Sequence, residues 1–340
     1  MTVYAVGNTP ADFLADINQV GSSAVGVGTG SGTTVSSTNQ GGAYFSIVSG
    51  NGGFTFDFSQ PASEFWMTFW HKSSDQTSPN IPIYWYGPLG ATFHYAVTST
   101  NLADFKMYDG TTWVTLFNFN NLSSQGSRID FKIKIDAVVG EIEVYTNNVL
   151  SGSFYGNTLP SGDRTTIDRA RLETYRNNGV LKYCYWSQIL VQSDDTRTVE
   201  VLQTQPNLAS FYQEQDTGAV TDINLLSAKN NADTDVILFT NPDARSTFTT
   251  TELPAEYDTG WFVTSVVTTV RAANTLDSPI QAVAPMIRTA TGVDAFGANS
   301  GTELSFNTTF AEFPLNPDTG LAWTIVETET VSVGARTALI

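Results

Sequence analysis

The chain holds a single cysteine, Cys184, in 340 residues. An intrachain disulfide and a cysteine cluster for zinc are therefore ruled out, and stability has to come from packing and assembly. Histidine is nearly as scarce: with only His71 and His94, no Ser-His-Asp order can be assembled with any specificity and a metal triad is likewise unsupported. Asp, Glu, Lys and Arg make up 14% of the chain, against the ~25% of an ordinary domain. The positive sign is the scarcer one, with 16 Lys and Arg against 33 Asp and Glu and a formal net charge of −17. Phosphate binding depends on basic patches that release counterions, so nucleic acid is not an expected partner. Lys72 is the first basic residue; the basic n-region of a secretory signal is missing, and no such signal is expected. Apolar runs fall short of the ~18 residues needed to span a bilayer, so membrane insertion is not expected either.

What is present describes a folded, strand-rich protein. The chain is 41% hydrophobic and 12% aromatic, enough apolar surface to offset the entropy of ordering, and its length suits two domains. Residues 1–20 form an N-terminal segment with one short helix signal at Pro10–Ile17. Gly, Ser, Thr and Asn then dominate Gly21–Gly53, which reads as loops and turns around short strands such as Ala43–Val48. Strict alternation comes next. In Arg128–Asp136 the residues Ile129, Phe131, Ile133 and Ile135 share one face, and Arg128, Asp130, Lys132, Lys134 and Asp136 share the other, the pattern of a strand half in water. Further strands are expected at Phe54–Phe58, Phe65–His71, Ile81–Tyr86, Ala91–Val97, Phe105–Tyr108, Trp113–Phe119, Glu141–Tyr145, Ile167–Tyr175 and Leu181–Val191.

Many short strands with little helix predict an all-β protein: an N-terminal antiparallel jelly-roll sandwich over 21–196, then a smaller C-terminal β-sandwich over 197–340. Ser193–Arg197 reads as the linker between them. Charge divides unevenly there, −6 before residue 197 and −11 from it onward. Trp261–Arg271 is the best strand of the second domain; both its faces are partly apolar, which predicts a central position.

Motifs of chemistry are few. Gly26–Gly32 is glycine-rich but lacks the strand–helix setting of a dinucleotide loop and the Lys-Ser/Thr ending of a triphosphate loop, so it reads as a flexible loop. Asp-Thr-Gly occurs at Asp216, Asp258 and Asp318, where Asx-type turns account for it better than an aspartic-protease dyad. Glu141 and Glu143 share a strand face like a glycosidase carboxylate pair, without a third acid nearby; a solvated face is the simpler reading. Each histidine is expected to be a strand residue with a local partner. No catalytic residue, metal or cofactor is assigned. The densest aromatic supply is Trp66, Trp70, Tyr84, Trp85, Tyr86, Tyr108 and Trp113, with His94 among them. Sugars stack their C–H faces on such rings, so these eight residues are the candidate contacts for a glycan or protein, although a two-sheet core consumes aromatics too.

The segment Arg128–Gly152, with its strand, short turn and aliphatic-aromatic-x-Asn hairpin, resembles the centre of a concanavalin A-like (laminin G-like) jelly roll. Tyr185–Val191 followed by Asp194–Arg197 resembles the last strand and exit linker of such domains in structural proteins of tailed bacteriophages, and Asn316–Thr324 with Val331–Gly334 is similar to the ends of many phage virion proteins. The resemblance implies a non-catalytic virion component: an exposed tail or tail-fibre protein contacting host surface glycans, or alternatively a capsid-decorating cement protein, with a glycan-degrading tail enzyme a distant third. It implies a place on the exterior of the particle, other virion proteins and host polysaccharide as partners, and a homo-oligomer, most often a trimer.

Overall fold

The computed structural model describes residues 2–7, 25–29, 43–48, 52–73, 83–99, 102–120, 127–162, 164–174, 183–199, 201, 206–214, 238–250, 252–253, 261–276, 278–304 and 307–339. The helix signal at Pro10–Ile17 lies outside them. The chain divides into two compact units, Met1–Val201 and Leu202–Ile340.

Unit one is built from two antiparallel sheets. The strands in chain order are β1 (Val3–Gly7), β2 (Val25–Thr29), β3 (Ala43–Val48), β4 (Gly52–Ala62), β5 (Glu64–Ser73), β6 (Ile83–Gly87) and β7 (Gly90–Ser99). They continue with β8 (Leu102–Tyr108), β9 (Trp113–Asn120), β10 (Ser127–Lys134), β11 (Gly140–Thr146), β12 (Val149–Gly156), β13 (Ile167–Thr174) and β14 (Tyr183–Gln192). An eight-stranded sheet has the order β12-β11-β10-β5-β14-β3-β2, with β1 also on β14, and a six-stranded sheet has the order β4-β13-β6-β7-β8-β9. Alternation dictates the core: Phe65, Met67 and Phe69 of β5 and Ile129, Phe131 and Ile133 of β10 meet Trp85, Phe93, Tyr95 and Phe105 of the opposite sheet. Phe131 makes edge contacts with Trp85 at 5.0 Å and Tyr95 at 5.4 Å, the T-shaped geometry that favours the ring quadrupole.

The polar face of β10 is half in water only towards its end, where Lys132 and Lys134 are partly exposed; its start is covered. Arg128 and Asp130 are buried, and the guanidinium Nη2 sits 3.1 Å from the carboxylate. The covering element is the segment whose composition reads as a linker. Thr196, itself buried, donates its hydroxyl to Asp130 at 2.8 Å and offers its carbonyl to Arg128. A charge pair under cover needs such extra hydrogen bonds to offset its desolvation. The glycine-rich stretch is also corrected in part, because Val25–Thr29 pairs with β3 as a strand; with no Cβ at Gly26 and Gly28 its composition hid a backbone ladder.

In unit two, β15 (Pro206–Gln213), β16 (Arg245–Thr250), β18 (Ala282–Arg288), β19 (Asp294–Phe296) and β22 (Ser332–Ala338) form a sheet of order β15-β16-β22-β18-β19, with β20 (Ser300–Gly301) beside β18. β17 (Val266–Ala272) pairs with β21 (Asn307–Phe313) in a separate ladder. The Trp261–Arg271 expectation therefore needs two corrections. Its strand starts only at Val266, and among the described residues β17 has β21 alone as its neighbour, so it is not central. A short helix with little sequence signal, α1 (Ile325–Thr330), is opened by a capping box between Thr324 and Glu327. Ile287, Ala311, Phe313, Trp323 and Val331 form the core on which both sheets meet.

Candidate functional site

The strands of the six-stranded sheet are in register, so alternate residues line up across its outer face. One row runs Thr55, Arg171, Tyr84, His94, Lys106 and Thr115 from β4 to β9. Beside it lie Asp57, Arg169 and Tyr86 at one edge, and Tyr108 with Trp113 at the other. Their inward neighbours Phe56, Ala170, Trp85, Phe93 and Phe105 are core. Period-2 geometry alone thus places aromatic and basic side chains on one surface.

The rings are in contact. Tyr84 and His94 stack in parallel, 4.3 Å apart, and Trp113 lies 5.3 Å from His94 and 6.1 Å from Tyr84. Tyr86 is 6.2 Å from Tyr84, and Tyr108 is 5.5 Å from Trp113. Packing between the rings desolvates His94, and burial together with the Lys106 charge lowers its pKa to about 4 against the opposing pull of Asp104. His94 is therefore neutral at ordinary pH, and its Nε2 has no hydrogen-bond partner.

Cations and carboxylates alternate around the rings. Lys106 pairs with Asp104 at 3.3 Å, and Asn118 donates to the same carboxylate at 2.5 Å. Arg169 pairs with Asp57. The guanidinium of Arg164 lies 5.0 Å over Tyr108 and donates to the Leu89 carbonyl at 3.1 Å. Asp109 accepts from the backbone N–H of Thr111 and Thr112 at 2.8 and 2.7 Å; those bonds hold its carboxyl below the usual range and shape the turn that brings Trp113 back beside Tyr108. The face offers ring surface, amide and guanidinium donors and carboxylate acceptors, the ingredients of sugar recognition.

Five of the eight candidate residues meet here: Tyr84, Tyr86, His94, Tyr108 and Trp113. The other three do not. Trp85 points the opposite way and is fully buried, its indole N–H 3.3 Å from the Met67 sulfur. Trp66 and Trp70 belong to the eight-stranded sheet. Trp70, half-buried, stands opposite Arg128 and Ser187. Trp66 is buried, stacked on Tyr145 at 5.9 Å with the Arg197 guanidinium 5.1 Å over its own ring and 4.3 Å over Tyr145. Lys106, Arg164, Arg169 and Arg171 join the face without belonging to the aromatic set that marks it in the sequence. Lys106, Arg169 and Arg171 lie on the same strand alternation as Ala103–Phe105 and Ala170–Leu172, which is the signal that could have found them.

Glu143 is not a solvated strand residue. It is buried and accepts hydrogen bonds from the hydroxyls of Tyr145, at 2.7 Å, and Tyr155. Burial raises its pKa, but those two hydrogen bonds and the Lys132 charge outweigh it and hold the carboxyl low. Glu141 is tied to Lys132. Of the Asp-Thr-Gly triplets, Asp216 and Asp258 lie outside the described residues, and Asp318 sits in a turn with its N–H on the Asn316 side chain at 2.9 Å and Gly320 at φ +69°. Both histidines are strand residues with ring partners, His71 lying 4.5 Å from Trp186.

No family model matches the sequence, and no curated protein matches it. Solved structures resemble part of the chain. A carbohydrate esterase of the Shiga toxin-encoding bacteriophage phi24B is similar at 10% identity and a TM-score of 0.39, over 56% of this chain and 97% of its own. The cellulose induced protein Cip1 is similar at 14% identity and a TM-score of 0.38, over 53% and 90%. The carbohydrate recognition domain of Emp47p is similar at 12% identity and a TM-score of 0.37, over 55% and 94%. A sialidase is matched over only 16% of its length. Every one of these TM-scores lies below 0.5, so the likenesses carry no functional weight beside the geometry of the face itself.

Proposed function

We propose that unit one is a non-catalytic glycan-contact domain, and that the chain is a structural component of a tailed-phage virion, exposed on the tail or tail fibre. The observation that carries the glycan contact is the outward cluster of Tyr84, Tyr86, His94, Tyr108 and Trp113 interleaved with Lys106, Arg164, Arg169 and Arg171. Rings supply stacking surface for sugar C–H faces, and the charged and amide groups supply directional hydrogen bonds to hydroxyls. The virion role is supported by the sequence motifs at Arg128–Gly152 and Asn316–Thr324. The non-catalytic reading is supported by the one spaced carboxylate pair: Glu143 is occupied by two tyrosine hydroxyls and Glu141 by a lysine, so neither is poised as a proton donor.

The test is a polysaccharide array probed with the intact chain and with Trp113→Ala and Tyr84→Ala variants. Binding is expected for the parent and reduced at least about tenfold in each variant, as for aromatic anchors in general. Absence of binding to any glycan overturns the contact reading, and release of reducing ends overturns the non-catalytic one. Antibody labelling of particles that fails to decorate the tail removes the tail assignment.

A further inference from the structure

The ring face of unit one is crossed by charge, yet its two signs are matched. Lys106 is bonded to Asp104 at 3.3 Å, and that carboxylate also takes the Asn118 amide. Arg169 is bonded to Asp57, with Asp168 close enough to act on it as a second negative charge and Tyr86 alongside. Arg164 gives its two terminal nitrogens to the carbonyls of Ser161 and Leu89, at 2.5 and 3.1 Å, and lays its plane over the Tyr108 ring. Arg171 stands in the row between Thr55 and Tyr84, and Asp109 holds the turn between β8 and β9. The four cations Lys106, Arg164, Arg169 and Arg171 are thus set against the four carboxylates Asp57, Asp104, Asp109 and Asp168.

A face built for an acidic polymer has a different character. Carboxylate and sulfate groups are held by guanidinium groups presented end-on, two parallel N–H bonds at a time, in a positive field that gathers the polyanion from solution. Here Lys106 and Arg169 already have carboxylate partners, and an acid laid on them would stand against Asp104 and Asp57, where like charges cost affinity. His94, in the middle of the rings, is neutral at ordinary pH and adds no charge. With 11 basic and 17 acidic residues, residues 1–201 carry a formal charge of −6, which repels a polyanion at longer range. The same ion pairs suit hydroxyl groups. A hydroxyl donates and accepts at once, and each pair holds a donor and an acceptor side by side. Thr55, Thr115 and Asn118 add neutral groups to the same face.

Given the glycan contact proposed above, on which this rests, we infer that the face takes uncharged glycans, polymers of neutral hexoses, and turns away those bearing uronate, sialate or sulfate. Ring stacking supplies the attraction, and the paired charges supply orientation without a net field. Binding therefore varies little with ionic strength, because salt screens separated charges and leaves ring contacts and short hydrogen bonds in place.

An array in which alginate, polygalacturonate and hyaluronate are each printed beside their carboxyl-reduced forms, together with dextran, galactan and mannan, tests this with the intact chain. Carboxyl reduction keeps the polymer and removes its charge. Neutral and reduced spots are expected to bind at least about tenfold more tightly than the acidic ones, with affinities that stay within about twofold between low and high sodium chloride. Asp104→Asn keeps the shape of the side chain and an acceptor for Asn118 while releasing Lys106. It is expected to bind acidic spots about threefold more tightly than the parent, the yield of one exposed charge pair. Asp57→Asn, which releases Arg169, repeats the test on the second pair, and circular dichroism checks that both variants fold. Acidic spots bound as tightly as their reduced forms, or affinities that fall steeply with salt, overturn the inference and leave the glycan contact standing. So do folded variants that gain nothing on acidic spots. An array with no binding at all overturns the glycan contact itself, so the two failures are told apart.

Discussion

His71 shows how much one buried ring controls. It stands on β5, between β10 and β14, against Trp186, nearly inaccessible and with no partner for its Nε2, and burial lowers its pKa to about 3. The folded ring stays neutral while the unfolded ring, near 6.5, takes up a proton. Its contribution is thus intact above pH 6.5 and declines on acidification towards pH 3, by up to about 1.4 kcal/mol per pH unit. Urea melts between pH 5 and 6.5, above the carboxylate range, are expected to show this slope for the parent and a smaller one for His71→Phe; equal slopes would refute it. Residue by residue, alternation in β10 identifies which side chains share a face. It does not reveal that Arg128 and Asp130 are covered, because the cover is Thr196, 66 residues on. The burial of Glu143 is hidden for the same reason: its partner Tyr155 comes from the next strand, folded across by the Asn147–Asn148 turn, whose positive φ values suit a tight hairpin.

At the scale of elements, the strands with clear alternation are legible, and those hidden by composition are not. Val25–Thr29 is obscured by glycine, and Trp261–Ser265 carries strand-like residues without a ladder. The six-residue helix α1 is marked only by Thr324 and Glu327, a signal easily lost among so many threonines. Register lies beyond local sequence, yet it is what a glycine such as Gly334 serves. On β22, between β16 and β18, a Cβ at this position would stand 1.9 Å from the Ser246 carbonyl oxygen. Backbone cannot yield as a side-chain tip does, so Gly334→Ala is expected to cost unit two about 1–3 kcal/mol. Thermal melts followed by calorimetry check it, and an unchanged midpoint for unit two would mean that the two strands are not this close.

For the whole molecule, the two units have separate cores. Phe131 touches Phe69, Trp85, Tyr95 and Phe105, so Phe131→Ala is expected to destabilise unit one by about 3–5 kcal/mol. Amide exchange should quicken chiefly within residues 1–201; a comparable rise throughout 202–340 would contradict separate cores. The sequence by itself determined the all-β class, the acidic balance with its excess in the second half, the exclusion of an intrachain disulfide, and the set of aromatics from which any contact face had to be drawn. Only the tertiary structure decided that Tyr84 and Tyr86 face outward while Trp85 fills the core, that Trp66 lies beneath Arg197, and that four basic residues join the outward rings. The reason is physical: a period of two says which residues share a face, but which face is buried, and what covers it, depends on pairing with strands far along the chain.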